Sequence, residues 1–232
     1  MKIKKFFNNS IDKINDADPE AFHPVGSRPY RAFVGPSDKY DLVGANQFNL
    51  LTSLGLREHH YFLDIGCGSL RGGRLFIPYL LSNRYFGIEP EQWLLEEGIN
   101  QNCGKDLIKI KSPHFSNDQN FTLSIFGKNF DFILAQSIFS HASKDQIKQC
   151  LSEAKKIMTS TSIFAATFVR GDMNNDSNKW LYPECGTYTL DFMLKLIESE
   201  GLFGKLLKWR HPNDQTWLAI VKEENKNNIP DI

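Results

Sequence analysis

The stretch that most constrains this chain is Tyr61 to Gly73, YFLDIGCGSLRGG. An apolar run (Tyr61, Phe62, Leu63, Ile65) ends in Gly66-Cys67-Gly68, after which Leu70, Leu75, Phe76 and Tyr79 fall at helical spacing. The pattern reads strand, glycine turn, helix, which is the first half of a nucleotide-binding α/β unit. Glycines at the turn let the backbone approach a ligand with no side chain in the way, and the free amides opening the next helix face any anion placed there. A carboxylate or a phosphate is the expected guest.

Two details narrow the choice. A dinucleotide fingerprint, G-x-G-x-x-G, counted from Gly66 needs a third glycine at position 71, and the chain has Arg71 there. A second apolar strand, Tyr85-Phe86-Gly87-Ile88, ends in Glu89, where a carboxylate can accept both hydroxyls of a ribose. The acid suits an adenosine, and the broken glycine pattern argues against a pyrophosphate.

Asp64-x-Gly66-x-Gly68 followed by Glu89 resembles the class I S-adenosylmethionine-dependent methyltransferases, and Phe130-Asp131-Phe132-Ile133-Leu134-Ala135-Gln136-Ser137 is similar to that family's fourth-strand motif. The resemblance covers residues 61 to about 168 and is specific as a set, since a lone G-x-G turn is common. It implies an α/β fold: a Rossmann-like, seven-stranded, mostly parallel sheet flanked by helices. It also implies S-adenosyl-L-methionine as cofactor and methyl transfer to a nucleophile.

With 232 residues, 41% of them hydrophobic, the chain has the size of one α/β domain with a substantial core. Lys+Arg and Asp+Glu number 27 each, so no global field draws it to nucleic acid or to an anionic membrane, and neither is expected as a partner. The Asn/Asp-Pro-Pro-aromatic tetrad with which the resembling family grips a flipped base is also absent. Cys67, Cys103, Cys150 and Cys185 lack paired metal-ligand spacing and the six histidines are dispersed, so no metal site is expected. No stretch approaches the roughly 20 apolar residues of a membrane span, and the start lacks a signal-peptide core. The expectation is a reduced, cytoplasmic protein of undefined oligomeric state.

Along the chain, Ile3, Phe6, Phe7, Ile11 and Ile14 predict a short amphipathic helix, followed by a Pro/Gly-rich loop with Pro19, Pro24, Pro29 and Pro36. Residues 1–40 therefore read as an N-terminal helix and loop, either a lid or a packing extension. Residues 41–223 read as the methyltransferase domain, and 224–232 as a charged tail that frays. A helix is expected from Asp41 to Leu54 with Leu42, Ala45, Phe48, Leu51 and Leu54 on one face, stopped by Gly55. Another is expected from Leu70 to Leu81, kinked or ended early by Pro78, and a third after Pro90. In Lys105 to Gly127, Ile108 and Ile110 alternate with lysines in the manner of a strand. Ser143-x-x-Gln146 is a capping box, Ser162 to Val169 a fifth strand, and Gly171 to Tyr188 a long loop. The helix Leu190 to Glu200 and two strands near Lys205–Trp209 and Gln215–Val221 close the domain.

In this architecture ligands bind outside the carboxyl ends of the strands, where strand order reverses. The resemblance then implies that Gly66 and Gly68 admit the methionine part, Asp64 orients its ammonium, Glu89 holds the ribose, and Asp118 or Asn120 reaches the adenine amino group. Trp93 either covers the adenine or packs in the core; Arg71 either pairs with the methionine carboxylate or reaches solvent. Cys67, Pro90, Gln136 and Ser137 complete the set at the strand ends. Cys67 is a poor candidate nucleophile, with no histidine adjacent in sequence. For the acceptor, Tyr30, Arg31 and Phe33 in the first loop are lid candidates or loop anchors, and Arg170, Trp180 and Tyr182 form a candidate wall. His141, in the loop after the fourth strand, is either the base that removes a hydroxyl proton or a packing residue beneath the Ser143 cap. The preferred function is O-methylation of a small molecule or glycan. The alternatives are a non-catalytic S-adenosylmethionine-binding or partner protein and, disfavoured by Arg71, a nicotinamide oxidoreductase.

Overall fold

A computed structural model describes residues 23–232. The expected amphipathic helix over residues 1–16 lies outside them. The elements, in order, are α1 (Tyr30–Phe33), α2 (Tyr40–Ser53), β1 (Phe62–Ile65), α3 (Gly73–Tyr79), β2 (Tyr85–Ile88), α4 (Gln92–Gly98), α5 (Lys105–Lys111), β3 (His114–Ser116), β4 (Phe130–Ala135), α6 (Lys144–Ile157), β5 (Met158–Arg170), β6 (Thr187–Tyr188), α7 (Leu190–Ser199), β7 (Leu202–Leu206) and β8 (Thr216–Lys222).

Seven strands form one path in the order β3-β2-β1-β4-β5-β8-β7, and the two-residue β6 pairs with the end of β5. β8 runs antiparallel to both neighbours, while β3, β2, β1, β4 and β5 are mutually parallel. Parallel strands buried on both faces read as continuous apolar runs. Their side chains alternate between two cores. Leu63, Ile65, Phe86 and Ile133 pack with Ile147 and Leu151 of α6 and Met193 and Ile197 of α7. Phe62, Tyr85, Phe132 and Leu134 pack with Leu50 and Leu51 of α2 and Phe76 and Ile77 of α3.

α6 begins at the expected capping box: Ser143 Oγ accepts from the Gln146 amide at 3.2 Å, and Gln146 Oε1 accepts from the Ser143 amide at 2.9 Å. α3 ends one residue after Pro78. Three expectations need correction, and the tail follows a defined path. Lys105–Lys111 is helical, bounded by Gly104 (φ 78°) and Ser112 in the left-handed region; Leu107 and Ile108 pack on the core, Ile110 stays exposed, and the strand comes after Pro113. α2 buries Tyr40, Val43, Gln47, Leu50 and Leu51 and leaves Leu42 exposed, because its packing face is rotated from the Leu42–Ala45 stripe. The Pro-rich loop contains the one-turn helix α1. The tail turns through Glu223–Asn228 and buries Ile229 against the second core, with Lys205 pairing with Asp231. No helix among the described residues is long and apolar enough to cross a membrane.

Candidate active site

Strand order reverses at β1, between β2 and β4, and a cavity of about 410 Å³ opens beside the carboxyl ends of these strands. The turn after β1 forms its floor. Gly66 (φ 69°) and Gly68 (φ 56°) both adopt left-handed backbone. A Cβ on Gly68 would meet Val34 Cγ1 at 2.8 Å, and one on Gly66 would run into Ile138. Conformation and space both require glycine here.

Glu89, at the end of β2, lines the cavity and binds the same turn: Oε2 accepts from the Gly68 amide and Oε1 from the Glu91 amide, each at 2.9 Å. Burial pushes its carboxyl up to about 7 despite those two bonds. Asp64 is buried beneath the turn, accepts from the Tyr85 hydroxyl at 2.8 Å, and is pushed up to about 6, again by burial. Asp64 and Cys67 lie outside the main cavity and line a small recess behind it. Burial holds the Cys67 thiol well above its usual range, the opposite of what an activated nucleophile needs.

Arg71 lines both spaces and does not reach solvent, being 7% exposed. Nη1 donates to the Val34 carbonyl at 2.7 Å and Nη2 to Gln136 Oε1 at 2.5 Å, while Nε is buried without a partner. Burial lowers the guanidinium to about 10, so it remains charged at neutral pH. None of the ion pairs among the described residues involves it. A buried cation without a carboxylate partner, beside a glycine turn, has the charge and the free donor to bind an anion. Gln136 also accepts from Gln47 at 2.6 Å, and its amide donates to Ser137 Oγ at 2.6 Å. Ser137, at φ 59°, receives a further bond from Gln215 and donates its own amide to Thr167 Oγ1.

On the opposite wall, Pro90 and Asp118 line the cavity, but Asn120 and Trp93 do not. Asp118 Oδ2 accepts the amides of Asn120 and Thr122, each at 2.8 Å; that turn presents Gln119 and Phe121 to the cavity instead. The Trp93 indole donates to Glu91 Oε2 at 2.9 Å, and its ring lies between Phe33 (5.0 Å) and the Arg28 guanidinium (4.1 Å), leaving Leu94 as the apolar lining residue.

The segment 24–36 crosses the mouth as a strap. Tyr30 and Arg31 turn away from the cavity onto the ring of Tyr40, at 6.0 and 4.8 Å, and Phe33 and Val34 face in. Arg170 is exposed at the end of β5, its backbone in register with Tyr188, and does not line the cavity. His141, Trp180 and Tyr182 do. The segment after β5 is hydrogen-bonded onto the loop after β4, the Leu181 amide to the His141 carbonyl and the Gly186 amide to the Ser140 carbonyl, each at 2.8 Å. His141 Nδ1 lies 2.7 Å from the Glu184 carbonyl, which can only accept, so Nδ1 carries the proton and Nε2 keeps its lone pair. Burial lowers the imidazole pKa below its ordinary value. The site residues not anticipated, Val34, Leu94, Phe121, Gln47 and Gln215 among them, come from segments distant in sequence and carry no local motif.

No protein-family model and no curated protein sequence matches the chain. Solved structures do. Magnesium protoporphyrin IX methyltransferase (ChlM) from Synechocystis PCC 6803, with bound SAH, matches at TM-score 0.58 and 14% identity, covering 86% of this chain and 91% of its own. The glycopeptide N-methyltransferase MtfA, complexed with S-adenosyl-L-methionine, matches at TM-score 0.60 and 7% identity, covering 77% and 94%. An S-adenosylmethionine-dependent methyltransferase from Clostridium acetobutylicum ATCC 824 matches at 0.56 and 12%, covering 94% and 98%. At these identities the likeness establishes the fold. The chain has the Rossmann-like fold of the class I S-adenosylmethionine-dependent methyltransferases.

Proposed function

We propose that this protein is an S-adenosylmethionine-dependent methyltransferase that methylates a hydroxyl of a small acceptor. The observation that carries the cofactor reading is the pair of opposed groups on one glycine turn: Glu89, an acceptor for ribose hydroxyls, and Arg71, a buried cation with an unpartnered Nε. The group fits the residues present. Gly66 and Gly68 leave the space a side chain would fill, Arg71 would supply charge for a carboxylate, and Asp64, buried and lining the recess at the turn, would orient an ammonium. Asp118 and Leu94 flank the adenine end in this reading, and Pro90, Gln136 and Ser137 shape its rim.

When bound, the sulfonium of this cofactor supplies an electrophilic methyl group. The chain's task is then to align the acceptor and to remove one proton. His141 suits the second task, because the Glu184 carbonyl fixes the tautomer that leaves Nε2 basic. The lowered pKa keeps the ring neutral at physiological pH. Tyr182 and Trp180, with ring centroids 5.0 and 5.7 Å from His141, form the acceptor wall. Four free thiols support the cytoplasmic placement. Calorimetry with S-adenosylhomocysteine and with a nicotinamide dinucleotide tests the cofactor reading; binding of the dinucleotide alone overturns it. A protein that binds S-adenosylhomocysteine but turns over donor with no acceptor belongs to the non-catalytic alternative.

A further inference from the structure

We infer that the acceptor is a planar aromatic compound bearing a hydroxyl, bound against Phe33, Tyr182 and Trp180 with that hydroxyl directed to His141; this rests on the methyltransferase reading above. The four rings follow one another along the cavity wall. Phe33 and Tyr182 have centroids 5.2 Å apart, Tyr182 and His141 5.0 Å, and His141 and Trp180 5.7 Å. Ile138 lines the same side, so the surface offered is aromatic and aliphatic. Aromatic rings stack edge-to-face or offset on such walls and add to the area they bury.

Three polar atoms of this wall are committed within the protein. The Tyr182 hydroxyl donates to the Phe33 carbonyl, and His141 Nδ1 to the Glu184 carbonyl. Gln146 Oε1 accepts the Ser143 amide. His141 Nε2 keeps a lone pair, the acceptor on this wall suited to a hydroxyl, beside the side-chain N–H donors of Gln146 and Trp180. A sugar ring brings several hydroxyls, each of which costs free energy if it leaves water without a partner. A phenol-type acceptor brings one. Trp180 is 43% exposed, so a ring entering from solvent meets it first.

The test is calorimetric titration of the protein, saturated with S-adenosylhomocysteine, with 2-naphthol, naphthalene and methyl α-glucoside. The expected result is that 2-naphthol binds at least tenfold more tightly than methyl α-glucoside and measurably better than naphthalene. Trp180→Ala and, as a milder change, Trp180→Leu should each weaken 2-naphthol at least fivefold while S-adenosylhomocysteine affinity, which also reports folding, stays within twofold. Tighter binding of the glucoside, or 2-naphthol binding indifferent to both Trp180 variants, overturns the proposal while leaving the cofactor reading intact. Failure of the unaltered protein to bind S-adenosylhomocysteine overturns both.

Discussion

The Tyr182 hydroxyl donates to the backbone carbonyl of Phe33, and the two rings lie 5.2 Å apart, tilted by 44°. The contact joins two segments far apart in sequence. One is the loop after β5, fastened to the His141 loop; the other is the strap that lays Val34 over Gly68 and is held from below by Arg71. The strap over the glycine turn and the aromatic wall beside His141 are therefore one connected surface.

Tyr182→Phe keeps the ring and removes the latch. A single hydrogen bond contributes about 1 kcal/mol, so S-adenosylhomocysteine should dissociate about fivefold faster. Stopped-flow displacement measures this. An unchanged rate means that the strap is held by its other contacts alone.

Arg71→Met should separate binding from stability. The guanidinium holds the Val34 carbonyl and Gln136, but it is also a buried charge with no ion pair among the described residues. Removing it forfeits those two hydrogen bonds and relieves an unpaired buried charge, opposing effects that should leave the unfolding free energy changed by about 1 kcal/mol or less. Affinity for S-adenosylhomocysteine should fall about tenfold or more, the scale of a lost charge-assisted hydrogen bond. Equal losses of stability and affinity, read from chemical denaturation and calorimetry, count against a carboxylate-binding role.

Glu89 makes the unliganded protein pH-sensitive. Burial raises its folded-state pKa from 4.5 to about 7, so folding favours the protonated form. Its contribution to stability is fully present below pH 4.5 and is lost as pH rises through about 7. The span corresponds to roughly 3 kcal/mol at about 1.4 kcal/mol per pKa unit. A ligand whose hydroxyls need the carboxylate has the opposite preference. S-adenosylhomocysteine affinity should weaken toward pH 6, by up to about tenfold per unit. Glu89→Ala should remove the change near pH 7 from both profiles and leave the part at lower pH that Asp64, itself pushed up to about 6, contributes; a flat affinity profile in the unaltered protein removes Glu89 from the ribose role.

Much of this site was legible because its determinants are local. The glycine turn, the acid closing β2, the apolar run of β4 and the Ser143 cap each lie within a few residues and obey short-range geometry. Lys105–Lys111 misled because seven residues with alternating Ile and Lys fit a strand as well as a helix; the termini, Gly104 and Ser112, decide it. The strap misled differently. Its aromatic and basic residues marked the right segment, but one helical turn after Pro29 carries Tyr30 and Arg31 onto Tyr40 and leaves Phe33 and Val34 facing the cavity. Arg170 lies exposed at the far end of β5, paired with Tyr188 and away from the cavity-lining residues, and the Gln47–Gln136–Ser137–Gln215 network escapes by sequence distance, since no local pattern announces a partner tens of residues away.

His141 is tested by a substitution that preserves its structural bond. Asparagine carries an amide N–H close to the position of Nδ1, so His141→Asn can still donate to the Glu184 carbonyl while lacking the Nε2 lone pair. If the ring only holds the loop, this variant should retain turnover, read as S-adenosylhomocysteine formed. If Nε2 takes the acceptor proton, turnover should fall roughly 100-fold or more with S-adenosylhomocysteine affinity unchanged. The pH profile adds a second readout. Burial lowers the imidazole pKa, so in the unaltered protein the rate should rise with pH to a plateau whose midpoint lies below 6.5. The variant should lose that midpoint and gain rate only at high pH, where the acceptor hydroxyl ionises without help. Retained turnover together with a retained midpoint in His141→Asn assigns the histidine to the loop and leaves proton removal to solvent.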